Sequence, residues 1–483
     1  MISSSSPELT RGRRRTARLP ATAVVFVGAL AAGGAVRFWQ LRGRDPMVWN
    51  DTADFLASSR EPWFSTELWI GKRSPLTPVV LKALGDDLAH YLTVQAVVAA
   101  ACWAALAASV ASVVAPGWRR VAAVVAVVAF SFTDPVVMWD QSALSESPAV
   151  SLLALAVAAG IRVAARPTRA AVAALVTVLA AWLGLRDSPA VVAVAGGVAL
   201  GAALATHRLW ARRRHPDRPG PARATPLTAL AAAALLVGLA ALASSSHGQR
   251  HVFPLRNVLQ VRVLPYADRV EWFADHGMPR ADAFAGPESL RPSREEGRAP
   301  VTFVPDDAGD GGLAEWFAWL EDDARATFAR WVLTHPGYLV TEPYEAPERT
   351  FNNAGGDRQF YAFPARRKVP LVDGVLAQRS WIVVLVGAAV AGWAIGRRRF
   401  TPAFVAGAVT AALALPHGAV AWHSDGMETA RHLVIPALQL HLGVLLMLVG
   451  MLRPAPAPRP VPDPGVETGA EVGDDAGVGS AHG

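Results

Sequence analysis

The sequence predicts an all-α polytopic membrane protein with about ten transmembrane helices and one large extracytoplasmic segment. Three observations carry that expectation. Of 483 residues, 52% are hydrophobic and the mean hydropathy is +0.28, more apolar sequence than one soluble core needs. Long Ala, Val and Leu runs recur at lengths that suit ~30 Å of hydrocarbon. Arginine clusters fill alternate short loops between those runs.

The apolar windows fall at 20–36, 91–115, 120–138, 147–164, 170–185, 189–206, 227–243, 381–396, 402–420 and 433–452. Lipid offers the backbone no hydrogen-bond partners, so each window must be helical. Residues 1–18 form a basic N-terminus containing Arg11, Arg13, Arg14, Arg15 and Arg18. Arg119 with Arg120, Arg162 with Arg166 and Arg169, Arg208 with Arg212 to Arg214, and Arg397 to Arg399 occupy alternate loops. The positive-inside rule then puts both termini in the cytoplasm and the protein in the plasma membrane.

An N-terminal transmembrane bundle is expected over 19–243, interrupted by a first extracytoplasmic loop, 37–90. In that loop Trp39, Trp49, Trp63 and Trp69 interleave with Asp45, Asp51, Asp54, Glu61 and Glu67, a composition suited to the headgroup layer. Residues 244–380 form an extracytoplasmic domain, with helical stretches at 265–276 and 314–334 around an acidic linker, Asp306 to Gly312. C-terminal transmembrane helices follow over 381–452, then a disordered, Pro-rich and acidic cytoplasmic tail, 453–483.

Composition also excludes some functions. Of 46 basic residues only Lys72, Lys82 and Lys368 are lysine, and the basic residues are spread over many loops instead of one patch, so nucleic-acid binding is not expected. The single cysteine, Cys102, rules out an internal disulfide framework and a cysteine-ligated metal site. No Walker or Rossmann-type loop is present.

The residues of chemical interest lie in the outer loops. WNDTADF sets Asp51 and Asp54 three apart, on one helix face, where paired carboxylates can bind a sugar acceptor or act as general base. The plainer account is a solvated helix start capped by Asn50 or Asp51. DPVVMWDQSALSESPAV supplies Asp134, Asp140, Ser145 and Glu146, with Ser145 as an ordinary helix cap and Glu146 at the bilayer edge. LGLRDSPAV places Arg186 and Asp187 in a tight outer turn, either as a local ion pair or as a guanidinium held for a phosphate. The last outer loop brings His417, His423, Asp425, Glu428, Arg431 and His432 to one surface, where Arg431 and His432 can grip a lipid-linked phosphate or Arg431 can snorkel to headgroups. His441, within the last window, suits a neutral histidine satisfied by a neighbouring helix. Zinc is disfavoured because HxxxH spacing and a cysteine partner are missing; no cofactor is required, though a divalent metal is an option.

Four segments in order give the chain a family resemblance. WNDTADFLASSREPWF with WIGKRSPLTPVVLKALG, then ALSESPAVSLLALA, LRDSPAV and RHLVIP, resemble the acidic first-loop motif, the L-S-E segment, the Arg-bearing turn and the late Arg-x-x-x-x-Pro start of the C-type (GT-C) multi-spanning glycosyltransferases, which include protein O-mannosyltransferases and aminoarabinose transferases. The match covers roughly the first 190 residues and the last span.

The resemblance implies a membrane glycosyltransferase moving a sugar from a polyprenyl-phosphate donor to an envelope glycan, lipid or protein acceptor outside the membrane. It implies Asp51 as catalytic base with Asp54 as its alternative, and Glu146, Arg186, Asp187, Arg431 and His432 as substrate- or donor-binding residues. Phe55 stands where the family often has a hydroxylated aromatic, and the soluble segment lies between spans instead of at the C-terminus. A transporter or lipid flippase, or a noncatalytic protein binding an envelope partner, shares the same expected architecture.

Overall fold

The computed structural model describes residues 21–214, 224–247, 250, 252–280, 313–345, 369–377, 379–424, 426 and 429–452. The expected basic N-terminus, the Asp306 to Gly312 linker, Asp425, Glu428 and the tail from Arg453 lie outside them. Among the described residues every regular element is helical, and strand pairing is limited to one parallel bridge, Met47 to Ser142.

Helix α1 (Ala21–Leu41) enters the bundle and leads into three short helices, α2 (Asn50–Ser59), α3 (Thr66–Ile70) and α4 (Leu76–Ala83). Then follow α5 (Leu88–Val113), α6 (Trp118–Phe130) and a short α7 (Asp134–Val137), which runs on as a tighter turn to Gln141. Helices α8 (Glu146–Ala165), α9 (Arg169–Leu185), α10 (Ser188–Arg214) and α11 (Ala224–His247) complete the first bundle. A cap comprises α12 (Val252–Arg262), α13 (Ala267–Asp275), α14 (Leu313–Asp322), α15 (Ala324–Thr334) and α16 (Pro336–Glu345). Last come α17 (Pro370–Leu376), α18 (Ser380–Arg397), α19 (Pro402–Ser424) and α20 (Thr429–Gly450).

Eight of these helices are long and apolar enough to cross a membrane, the mark of a multi-pass membrane protein. Two of the ten expected windows differ. The window at 120–138 is broken: α6 and the α7 segment meet at 53°. Pro135, in the first turn of α7, cannot donate to the preceding turn, and Thr133 ahead of it is extended, so the helix restarts in a new direction. The window at 170–185 becomes α9, only 17 residues long.

The core runs through α5, α6, α8 and α20, with Trp103, Phe130, Trp139 and Leu442 deep inside. Helices α19 and α20 form the tightest pair. A side chain at Gly407 would sit 2.8 Å from the Met447 nitrogen, and one at Gly443 2.6 Å from the Ala411 nitrogen, so the bare glycines set how closely the backbones approach. Pro416 and Pro436 are accommodated inside these helices. One buried ion pair binds the entry helix to the broken segment. Arg37, 1% exposed, donates to Asp140, to which Ser147 also donates, and a second Arg37 nitrogen reaches the Ser131 carbonyl at 3.2 Å.

The cap packs around Phe273, Trp316, Trp319 and Trp331. Helix α13 and the pair α14 and α15, divided at Asp323, fall on the two expected stretches, whereas α12 and α16 were not expected. An arginine latch holds the cap on the bundle: the Arg262 guanidinium lies 3.9 Å over the Trp422 ring of α19, and Glu342 ion-pairs with Arg269 at 3.4 Å and with Arg262 at 3.7 Å. Burial lifts the Glu342 carboxyl above its usual range, and the two guanidiniums recover only part of that shift.

Candidate functional site

The turns after α1, before α8, between α9 and α10, and before α20 all fall at one end of the bundle, and the side chains they carry converge there. Asp51 sits in the first turn of α2, where acidic residues are favoured by the helix dipole. The helix is capped by neither Asn50 nor Asp51; Trp49 occupies the cap and its N–H donates to Thr52 Oγ1 at 3.1 Å. Asp51 is thereby released for long-range contacts. Asp51 Oδ1 accepts from Arg73 Nη2 at 2.7 Å, and Oδ2 accepts from Arg431 Nη2 at 2.6 Å. Asp54 shares the face, as its spacing implies, and accepts from the same Arg73, but its side chain is 59% exposed.

Glu146 heads α8 and is 1% exposed. Its Oε1 accepts from Arg186 Nη1 at 2.9 Å and pairs with Arg431 Nε at 3.2 Å, while Oε2 has no hydrogen-bond partner among the described residues. Ser145 precedes it without capping through its hydroxyl, contrary to the sequence expectation, because its backbone is already helical. Arg186 also meets His432 Nδ1. The result is a chain of charge, Arg73, Asp51, Arg431, Glu146, Arg186, spanning the first loop to the last helix. Burial alone would raise the Asp51 carboxyl, but Arg431 first and Arg73 second hold it below its ordinary carboxylate range.

Three sequence expectations are corrected. Arg186 and Asp187 do not pair with each other. Arg186 is extended, so consecutive side chains point apart: Arg186 turns inward to Glu146, and Asp187 accepts from Arg250 Nη1 at 3.0 Å. Nor does His417 join the surface group, because α19 continues to Ser424 and leaves His417 wholly buried. Arg431 does not snorkel; it is buried between its two acids. His441 meets Ser380 Oγ at 3.3 Å, as a histidine satisfied by a neighbouring helix should.

Asp51, Arg73, Arg186, Asp187, Arg431 and His432 line a cavity of about 350 Å³, within the ordinary ~300–1,000 Å³ range of ligand sites. Among the described residues six cations face it: Lys72, Arg73, Arg186, Arg250, Arg325 and Arg431. Among the described residues only Asp51 and Asp187 oppose them on the wall, so even with Glu146 beneath, these side chains give the cavity a surplus of positive charge. Such a site favours an anion, and guanidiniums in particular favour phosphate oxygens. Sequence reasoning assigned no role to Arg73, Arg250 or Arg325. Arg73 was visible within the first-loop motif, Arg325 lies in the expected helical stretch 314–334 but in no motif, and Arg250 comes from a segment with neither.

No family model matches the chain, and neither a curated protein nor a solved structure is significantly similar to it.

Proposed function

We propose that the protein is an inverting membrane glycosyltransferase that moves a sugar from a polyprenyl-phosphate donor to a cell-envelope acceptor on the extracytoplasmic side of the plasma membrane. The observation that carries this reading is the convergence of Asp51, Arg431, Glu146 and Arg186 on one strongly cationic cavity at the end of the bundle. In this topology the bent α6–α7 segment and α9 complete ten crossings, the arginine-rich loops and both termini are cytoplasmic, and the cap covers the outer face.

The donor enters from the outer leaflet with its isoprenoid tail still in hydrocarbon. Arg186 and Arg431, with Arg250 nearby, stabilise the phosphate as negative charge develops on it, and the acceptor hydroxyl attacks the anomeric carbon from the opposite side. Both Asp51 oxygens are occupied by guanidiniums. Held between Arg431 and Arg73, Asp51 keeps both guanidiniums in place beside the phosphate and the acceptor. A monophosphate donor needs no nucleotide-binding fold and no obligatory metal.

A transporter or lipid flippase has a comparable architecture, but its ionisable groups are expected near the midplane, whereas these gather at one end. Protein purified into vesicles and supplied with radiolabelled polyprenyl-phosphate sugars plus envelope acceptors should transfer label, and Asp51→Asn and Arg431→Gln should abolish transfer. Donor translocation without transfer would establish the flippase. Neither process, with cellular effect lost only on deletion of the 244–380 segment, would establish a noncatalytic envelope-binding protein.

A further inference from the structure

Ser188, the first residue of α10, lines the cavity next to Arg186 and Asp187. Its Oγ lies 3.3 Å from Nε2 of His417, a residue 0% exposed on α19. On the other side of the ring, His417 Nδ1 lies 2.9 Å from Gln439 Oε1, and Gln439 Nε2 donates to the Thr410 carbonyl at 3.1 Å.

That last hydrogen bond fixes the direction of the rest. A carbonyl only accepts, so the Gln439 amide must turn its NH2 to Thr410 and its oxygen to His417. An amide oxygen only accepts, so Nδ1 carries the imidazole hydrogen and Nε2 keeps its lone pair. Ser188 therefore donates its hydroxyl hydrogen to His417. Trp182 packs edge-on against the ring, with centroids 6.0 Å apart, and holds its plane. A histidine serving only to pack helices needs no partner on a cavity wall; this one ends on a hydroxyl open to the cavity.

We propose that Ser188 and His417 are the proton-accepting relay of this site, with Gln439 as the residue that positions the imidazole. The proposal rests on the transferase reading. Asp51 gives both oxygens to guanidiniums, while His417 Nε2 has a lone pair for a proton. An acceptor hydroxyl placed against Ser188 passes its proton to Ser188 Oγ as Ser188 passes its own to Nε2. The acceptor oxygen forms the new bond to the anomeric carbon; the bond from that carbon to the phosphate oxygen breaks, and its electron pair leaves with the phosphate. The imidazolium then returns its proton to solvent. Asp51, in this scheme, organises arginines and acceptor without taking the proton.

Two measurements on protein in vesicles test this separately from the parent reading. The first uses an octyl fluorophosphonate, which labels hydroxyls activated by a neighbouring base, with the site located by peptide mass. Wild type should be labelled at Ser188, and labelling should slow at least about tenfold in His417→Gln and in Gln439→Ala. The second is sugar transfer: Ser188→Ala and His417→Gln should lose about 10²–10⁴-fold in rate, the usual worth of general-base catalysis, with donor affinity unchanged within about threefold. Ser188→Ala removes only a hydroxyl and guards against loss of fold. Absence of label at Ser188 in wild type, equal labelling in His417→Gln, or full transfer by Ser188→Ala overturns the relay. His417-dependent labelling without transfer from any donor supports the activated pair and overturns the transferase reading alone.

Discussion

Asp51 and Arg431 are 380 residues apart in the chain and 2.6 Å apart in space. One belongs to the first loop and the other to the start of the last helix, so this contact closes the bundle across its functional end. Because Arg431 also reaches Glu146, its loss disturbs two acids at once.

The two residues should therefore couple energetically. In a double-mutant cycle of Asp51→Asn and Arg431→Gln, thermal unfolding in detergent should give a coupling of about 0.5–3 kcal/mol. Additive losses would mean that the contact contributes nothing beyond its separate halves.

The pH dependence of this contact follows from the lowered Asp51 carboxyl. A carboxylate with a depressed folded-state value contributes stability that is fully present above its unfolded value near 3.8 and is lost as pH falls through the folded value. The stability difference between wild type and Asp51→Asn should stay flat from pH 8 to 5 and shrink only below about pH 3.8. A difference that fades between pH 7 and 5 would contradict the assignment.

Glu342 should behave in the opposite sense. Its carboxyl is raised by burial, so the folded cap holds the proton more tightly than the unfolded chain does, and stability falls as pH rises from about 4.5 through the folded value. Hydrogen exchange over α12–α16 should quicken across that range in wild type, and Glu342→Gln should flatten the response.

Glu146 is the most deeply buried acid of the cationic site. Glu146→Ala leaves Arg186 without a carboxylate and Arg431 with Asp51 alone, and should cost about 3–5 kcal/mol, read as a large drop in melting temperature in detergent. A change below about 1 kcal/mol would show that the arginines find other partners or water.

Arg250 reaches the cavity from beyond α11 and meets Ser74, Asp187 and Ser244. Removing one charge-assisted contact to a bound phosphate, at about 1.5–3 kcal/mol, weakens binding by roughly 10- to 100-fold. Arg250→Gln should show that loss in calorimetric titration with a polyprenyl phosphate, while Arg398→Gln, at the far end of the bundle, should not.

The membrane helices were legible because hydrophobic length is a one-dimensional property: the ten apolar windows correspond to the eight long helices, the bent α6–α7 pair and α9. The bend itself was written in Thr133, Asp134 and Pro135, yet the surrounding apolar run masked it. In the site, residue types were legible and partners were not. Arg186 and Asp187 are neighbours that face different acids and bases, and His417 lies in a helix whose end ran four residues past the apolar window. Pairings such as Arg431 with Asp51 depend on how helices cross, and no local pattern encodes that. Arg250 was overlooked for the same reason, having only a partner in space to mark it.

The ion pair of Arg37 with Asp140 bears on how the chain is made. The two residues are separated by 103 positions, so at about 5–20 residues per second the ribosome releases the guanidinium roughly 5–20 s before its counter-charge exists. Until then Arg37 lacks the acid that pairs with it in the folded bundle, although acids of the following segment, such as Asp45 and Asp51, are already made. The final seating of the opening helix against the bundle therefore waits for the α7 segment that brings Asp140.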